Sequence, residues 1–161
     1  MFLHTFKARM LLLATVILCG LFACQSPATF FVGRSVDPTL QIPLTTALAQ
    51  NGTWQTFDLV INYTLHNNDD QIEITGKAEL GEHYQRLYNR VTQLDLYLFL
   101  LDSNAAVLET LPLTGSLLGG TDEQININAT IPRIAGLKAL TFGYRGSVNS
   151  IDSHTSFDEL P

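Results

Sequence analysis

The sequence predicts an all-β domain, an antiparallel β-sandwich with immunoglobulin-like or related Greek-key topology. Six segments alternate apolar and polar side chains with a period of two, which is typical of half-buried strands. Turn-forming residues separate these segments, which lie roughly 8–15 positions apart, and no amphipathic helical window or internal repeat competes strongly with the pattern. Because the chain lacks the Cys…Trp…Cys core of antibody domains, the prediction concerns the architecture alone.

The first two strong strands form a predicted hairpin. Apolar residues alternate with mostly polar ones over Phe57–His66, and the pattern returns over Ile72–Leu80. The intervening Asn67–Gln71 carries the amide and carboxylate side chains typical of turns. Residues 33–52 contain two prolines and show little periodicity, so we interpret them as an irregular covering segment or an edge strand.

The strand predicted over Val91–Leu101 is apolar on both faces, so both of its faces must be covered. The remaining predicted strands are Val107–Leu113, Ile125–Ile131 and Leu140–Tyr144. Together these elements place the sandwich domain at residues 30–148. Residues 149–161 are polar and acidic, which predicts a loosely held C-terminal tail.

The charge balance argues against a nucleic-acid partner. The chain of 161 residues carries 9 lysines and arginines against 15 acidic residues, for a formal net charge of −6. Binding of nucleic acid needs a basic face that neutralises phosphates. We therefore expect no nucleic acid among its partners.

The first 23 residues have the parts of a secretory signal peptide. Lys7 and Arg9 form a basic start, and Met10–Leu21 is an apolar run too short to span a bilayer comfortably. The sequence therefore predicts that residues 1–23 are cleaved. An ordinary secretory signal and a signal anchor are the alternatives to the lipoprotein signal considered next.

The run Leu21-Phe22-Ala23-Cys24 resembles the lipobox of bacterial lipoproteins, with an aliphatic residue at −3, a small residue at −1 and cysteine at +1. The resemblance implies that Cys24 is linked to diacylglycerol and becomes an acylated N-terminus, followed by a short tether at residues 24–29. Gln25 follows the cysteine, and in such lipoproteins a residue other than Asp implies the outer membrane. The expected location is the bacterial envelope, with the lipid as anchor.

The rest of the sequence contains few groups of residues that could bind a metal or catalyse a reaction. Residues 25–161 contain no cysteine, and the three histidines that remain after cleavage lie far apart, so we expect no metal site and no cofactor. The oxygen-rich turns Asn67–Asp70 and Asp102–Asn104 suit calcium only weakly, because they lack the glycine and the distal acid of an EF-hand loop. No serine lies in a Gly-x-Ser-x-Gly frame, and we predict that the protein is not an enzyme.

Two features predict an interaction surface. If the segment around residues 84–90 is extended, its alternate residues project rings and guanidinium groups to one side, and Tyr and Arg often anchor interfaces. The alternative is a loop or a single helical turn that packs its tyrosines on the core. The second feature is the outer face of the central strand, and the alternative is that residues 30–50 cover it. The predicted surface residues are Tyr84, Arg86, Tyr88, Arg90, Tyr97 and Phe99.

These expectations lead to two functional hypotheses. The first is a non-enzymatic interaction or accessory module, anchored in the membrane, that binds another envelope protein. The second is a carrier of a small ligand or glycan that uses aromatic side chains such as Trp54, Tyr84 or Tyr144. An enzyme is a third, weaker hypothesis, because it would need several polar groups that converge in a cleft.

Overall fold

The computed structural model describes residues 30–68, 70–114 and 119–161. The predicted signal peptide, Cys24 and the tether lie outside the described residues. Phe31–Pro161 forms one compact unit. Among the described residues, no helix is both long and apolar enough to cross a membrane.

The described chain contains nine strands and one short α-helix. A 3-10 turn at Pro38–Leu40 precedes them. In chain order the elements are β1 (Ile42–Pro43), β2 (Ala49–Gln55), β3 (Leu59–Asn67), β4 (Gln71–Leu80), α1 (Glu82–Leu87), β5 (Arg90–Leu101), β6 (Val107–Thr114), β7 (Ile125–Pro132), β8 (Ala139–Asn149) and β9 (His154–Glu159). All six strands predicted from the alternating pattern are present.

The strands form two antiparallel sheets that pack face to face as a β-sandwich. In the first sheet β8 pairs with β5, β5 pairs with β6, and β1 and β9 both pair with the other side of β8. The second sheet has the order β2-β3-β4-β7. The chain changes sheets after β1, β4, β6 and β7, and β4 pairs with β7 while β5 pairs with β8. This is the Greek-key connectivity of immunoglobulin-like sandwiches.

The core lies between the sheets and is built from alternate residues of every long strand. Aromatic rings fill its centre, where Trp54 meets Phe142 edge-on with 5.6 Å between ring centroids. Tyr63 of β3 stands opposite Gly52 of β2 and Gly76 of β4. A Cβ atom at Gly52 would overlap the Tyr63 hydroxyl, so the glycine makes room for the ring.

The outer face of the first sheet is covered by the chain itself, as the alternative prediction stated. The covering segment, residues 31–41, runs beside β6, where the Gly33 N–H donates to the Val107 carbonyl at 2.8 Å. Phe31 meets Phe99 edge-on with 5.2 Å between ring centroids, and Phe99 is fully buried. The prediction of Phe99 as a docking residue is therefore wrong, because an aromatic ring on the second face of a central strand needs its own cover. Tyr97 remains half-buried.

Residues 154–159 form β9 where the composition predicted a loosely held tail. β9 pairs with β8 from Tyr144↔Glu159 to Asn149↔His154. Phe157 provides the apolar anchor, since its ring lies 4.7 Å from that of Tyr84 and packs over Gly146. A single apolar residue between Ser156 and Asp158 leaves no periodic pattern, which is why composition alone misses this strand.

We predict that loss of the Phe31 ring destabilises the domain. Phe31→Ala should lower the free energy of unfolding by about 3 kcal/mol, because it uncovers Phe99 and leaves a cavity. Val32→Ala is the matched control, since Val32 is exposed and should change stability by less than about 0.5 kcal/mol. Urea unfolding of the full chain followed by circular dichroism measures both. Equal effects of the two substitutions would contradict the covering role of Phe31.

Candidate interaction site

One end of the sandwich, here called the loop end, includes three connections that are joined to one another. They are the β2–β3 turn at Thr56–Asp58, α1 with the residues that lead into β5, and the β8–β9 turn at residues 150–153. Backbone hydrogen bonds join them: the Gly81 N–H donates to the Asp58 carbonyl at 2.7 Å, and the Asn89 N–H donates to the Asn149 carbonyl at 3.3 Å. Connections at the end of a rigid sandwich are common binding positions.

The β2–β3 turn is organised by the side chain of Thr56. Its Oγ1 accepts hydrogen bonds from the backbone N–H groups of Asp58 at 3.3 Å and of Leu59 at 3.2 Å. Such hydroxyl-to-backbone bonds favour turns over strands. Phe57 therefore lies at the tip of the turn and is 80% exposed, whereas the alternating pattern placed it on the apolar face of a strand.

The segment around residues 84–90 is helical and not extended. Gly81 precedes α1, and its carbonyl accepts from the N–H of Tyr84 at 2.9 Å. The helix buries Tyr84 and turns Arg86 toward solvent, where it pairs with Glu82 at 2.6 Å between Nη2 and Oε2. The predicted one-sided display of rings and guanidinium groups is therefore wrong, because a helical turn sends alternate residues in different directions. The structure has the alternative arrangement, a helical turn that packs tyrosine on the core.

The carboxylate of Asp58 is the centre of a hydrogen-bond network beneath the loop end. The Tyr84 hydroxyl donates to its Oδ1 at 2.9 Å, and the Tyr144 hydroxyl donates to its Oδ2 at 2.8 Å. The Thr56 hydroxyl lies 2.8 Å from the Tyr144 oxygen and donates to it, since the one phenolic proton of Tyr144 points at the carboxylate. The network joins the β2–β3 turn of the second sheet to α1 and to β8 of the first sheet.

Burial controls the protonation of this network. Burial raises the pKa of Tyr84 and of Tyr144 above the ordinary 10.0, and the hydrogen bonds to the Asp58 carboxylate raise both further. Burial also raises the pKa of Glu159 above 4.5, with the charge of Asp58 as the next cause. Both phenols therefore stay protonated at neutral pH and remain hydrogen-bond donors to Asp58.

His83 lies beside the carboxylate without a hydrogen bond to it. Its Nε2 is 3.9 Å from Asp58 Oδ1 and has no hydrogen-bond partner among the described residues. Its ring lies against two aromatic neighbours, 4.1 Å from Phe57 and 4.0 Å from Tyr84 between ring centroids. His83 thus connects the exposed ring at the tip to the buried network. In the part of the chain that the structure describes, no three metal-ligating side chains converge.

Three large apolar side chains project from the loop end, one from each connection. Phe57 is 80% exposed on the β2–β3 turn, Leu87 is 67% exposed at the end of α1, and Ile151 is 93% exposed on the β8–β9 turn. We call these three residues the apolar tips. An exposed Leu or Ile by itself means little, but apolar residues gathered on a rigid end are typical of interaction sites.

The six predicted surface residues separate into three groups. Arg86 and Arg90 are exposed at the loop end, as predicted. Tyr88 is half-buried and its hydroxyl lies 2.7 Å from Thr155 Oγ1, while Tyr84 is buried in the network. The last two, Tyr97 and Phe99, belong to the covered face of the first sheet.

The aromatic residues suggested for ligand stacking are not available at the surface. Trp54, Tyr84 and Tyr144 are 4%, 5% and 0% exposed. A cleft of about 200 Å³ opens near the starts of β5 and β7, where Val91 and Ile125 contribute to its lining. Small-molecule sites usually enclose about 300–1,000 Å³, so this cleft gives the carrier hypothesis little support.

Sequence reasoning missed Asp58, His83 and all three apolar tips. The pattern placed Asp58 and Phe57 inside a strand, and His83 was considered only as a metal ligand. One local signal could have identified the turn, since Thr56 and Asp58 have the spacing at which a hydroxyl caps a backbone N–H. Their partner Tyr144 lies 86 positions from Asp58 and carries no such local signal.

Comparison with known proteins returns no relatives. The chain matches no family model, no curated protein and no solved structure. The loop end is therefore interpreted from its own geometry and chemistry.

We predict that the Asp58 carboxylate is required for stability. Asp58→Ala removes the acceptor of two buried phenols and should lower the free energy of unfolding by about 2–4 kcal/mol. Asp152→Ala, on the exposed β8–β9 turn, is the matched control and should change it by less than about 0.5 kcal/mol. Urea unfolding at neutral pH compares the two variants. A loss for Asp58→Ala no larger than that for Asp152→Ala would show that the network does not hold the loop end.

Alkaline pH should weaken the fold through the same network. Tyr84 and Tyr144 keep their protons to higher pH in the folded chain than in the unfolded chain. Above about pH 10 the unfolded state therefore binds fewer protons than the folded state, and stability falls as the pH rises. The urea midpoint should decrease between about pH 9 and about pH 11.5. Tyr84→Phe should decrease less steeply, and an unchanged slope in that variant would contradict the assignment.

Proposed function

We propose that this protein is a lipid-anchored envelope protein that acts as a non-enzymatic interaction module and docks through its loop end on another envelope protein. The observation that carries the proposal is the position of the apolar tips. Three exposed apolar side chains stand on three neighbouring connections above the buried network of Asp58, Tyr84 and Tyr144. The connections that carry them are held in place by this hydrogen-bond network.

A rigid loop end favours binding because little conformational entropy is lost when it associates with a partner. A loop that is already fixed loses less conformational entropy on association than a mobile loop. Phe57 is supported by the His83 ring, and the turn that carries it is held by Thr56. The tips therefore present a preformed surface whose burial would contribute the hydrophobic part of an interface.

The charges at the loop end indicate the chemistry of the partner. Arg86 and Arg90 are both exposed beside the tips, and the Arg86–Glu82 pair is itself open to solvent. Arginine is enriched in interfaces and binds carboxylates with two parallel hydrogen bonds. The expected partner surface offers apolar depressions for the tips and acidic side chains near the arginines.

The anchor is the second half of the proposal. The lipobox-like run that ends at Cys24 supports acylation of that cysteine, and acyl chains on one residue give stable membrane attachment. A random-coil tether of about five residues would reach on the order of 12 Å. A domain on so short a tether stays near the lipid surface, where its partners would be membrane proteins or other anchored proteins.

We predict that the loop end is needed to retain the partner. The test is a crosslinked pull-down from native membranes, read by mass spectrometry. The double variant Leu87→Asp with Ile151→Asp should recover at least about tenfold less partner, because it places charges on side chains that docking would bury. Leu48→Asp is the matched control. Leu48 is 81% exposed next to the far end of β3, where its carbonyl accepts from the Asn67 N–H. It should retain the partner in full.

The anchor and the docking surface are tested separately. Combined with Leu87→Asp and Ile151→Asp, which remove docking, Cys24→Ala should shift the protein from the membrane fraction to the soluble fraction. Equal recovery with the double variant and with Leu48→Asp would reject docking through the loop end. Equal membrane retention of the double variant with and without Cys24→Ala would reject the lipid anchor.

A further inference from the structure

We infer that the free edge of β7 pairs with β7 of a second copy of this chain, antiparallel about a two-fold axis through Asn128. The two second sheets would then join into one sheet of eight strands. The inference does not depend on the proposed function, since it concerns a different surface. It is supported by the exposure of the edge, by its backbone geometry and by its charges.

β7 ends the second sheet and pairs only with β4 among the described residues. An unpaired strand edge is normally protected by charged side chains, proline or a bulge. β7 has the sequence ININATIP, which contains no charged residue and has its proline at the last position. Its register with β4 is uninterrupted. The edge strand β6 of the first sheet, by contrast, carries Glu109 and Pro112.

The alternation of the ladder shows which backbone groups point outward. The Arg133 N–H donates to the Asp70 carbonyl at 3.3 Å, which extends the β4–β7 ladder by one pair. Because hydrogen-bonded pairs alternate along an antiparallel ladder, the outward-facing groups belong to Asn126, Asn128 and Thr130. Pro132 also falls in the outward set, so its missing N–H costs no bond to β4.

One symmetric register also matches the charges that flank the strand. With Asn128 on the axis, Asn126 lies opposite Thr130 of the second copy, and Glu123 lies opposite its Arg133. Within the described part of the chain, Arg133 Nε donates to the Asn68 carbonyl at 3.0 Å and Glu123 Oε1 accepts from the Gly120 N–H at 3.1 Å. Neither charge is neutralised by an ion pair there. A shift of the axis by one residue in either direction moves Arg133 two positions away from Glu123. The charges therefore select this register among those that pair the outward-facing groups.

The other edge of the same sheet is a weaker site for a second copy. β2 is also uncharged, but residues 40–45 of the same chain flank it. Trp54 Nε1 donates to the Leu40 carbonyl at 2.9 Å, and Gln50 Nε2 donates to the Pro43 carbonyl at 3.2 Å. No pair of opposite charges brackets β2 as Glu123 and Arg133 bracket β7.

Disulfide trapping tests the register. Asn128→Cys places two thiols at a hydrogen-bonded pair about 5.5 Å apart between Cα atoms, within the range that a disulfide spans. Asn126→Cys is the matched control on the same exposed face, since its two copies would be offset by four residues, about 14 Å. In the full chain oxidised in its membranes, Asn128→Cys should give at least about tenfold more linked dimer than Asn126→Cys or the unsubstituted chain. Equal crosslinking of the two variants would overturn the inference.

A charge exchange tests the flanking pairs. Glu123→Arg alone places like charges opposite each other, as does Arg133→Glu alone, so each should weaken the dimer of the detergent-solubilised full chain by several-fold in sedimentation equilibrium. The combined variant should restore it, which a purely structural role of either residue would not do. Failure of the combined variant to exceed both single variants would overturn the register. A monomer for the unsubstituted chain at every concentration would overturn the dimer and leave the edge to a strand of another protein.

Discussion

The Asp58 carboxylate is the interaction on which the loop end depends. It accepts one hydrogen bond from α1 through Tyr84 and another from β8 through Tyr144, so a single side chain on the β2–β3 turn joins both sheets. Low local polarity strengthens these bonds and also makes their loss costly. The turn, the helix and β8 thus keep one relative arrangement. The positions of Phe57 and Leu87 at the surface follow from that arrangement beneath them.

A second constraint comes from β5, whose two apolar faces both require cover. Leucines fill the face toward the second sheet, and Phe99 and Leu101 on the other face are buried under Phe31 and Val36. The covering segment therefore belongs to the folded domain. Much of the first sheet consequently offers no apolar surface for a partner. The loop end and the free edge of the second sheet, by contrast, remain open to solvent.

Much of the fold could be predicted from the sequence because strands in a sandwich bury alternate residues. The six strands with three or more apolar residues in alternation were predicted correctly. The apolar residues on both faces of β5 also correctly predicted that both faces are buried. β9 was missed because Phe157 is its only large apolar residue. The site was harder to predict, since Asp58 and Tyr144 lie 86 positions apart and meet only in the finished fold. A helical turn of six residues at α1 is too short to leave a periodic signal.

The position of Trp54 gives the chain a built-in optical reporter. It is the single tryptophan of the sequence, it is 4% exposed, and its indole N–H donates to the Leu40 carbonyl at 2.9 Å. Its ring touches Phe142 and Tyr144 of the opposite sheet. Its fluorescence emission therefore reports on one defined place, where β2, β8 and the covering segment meet. Solvent relaxation at that indole would mark separation of the two sheets without any added dye.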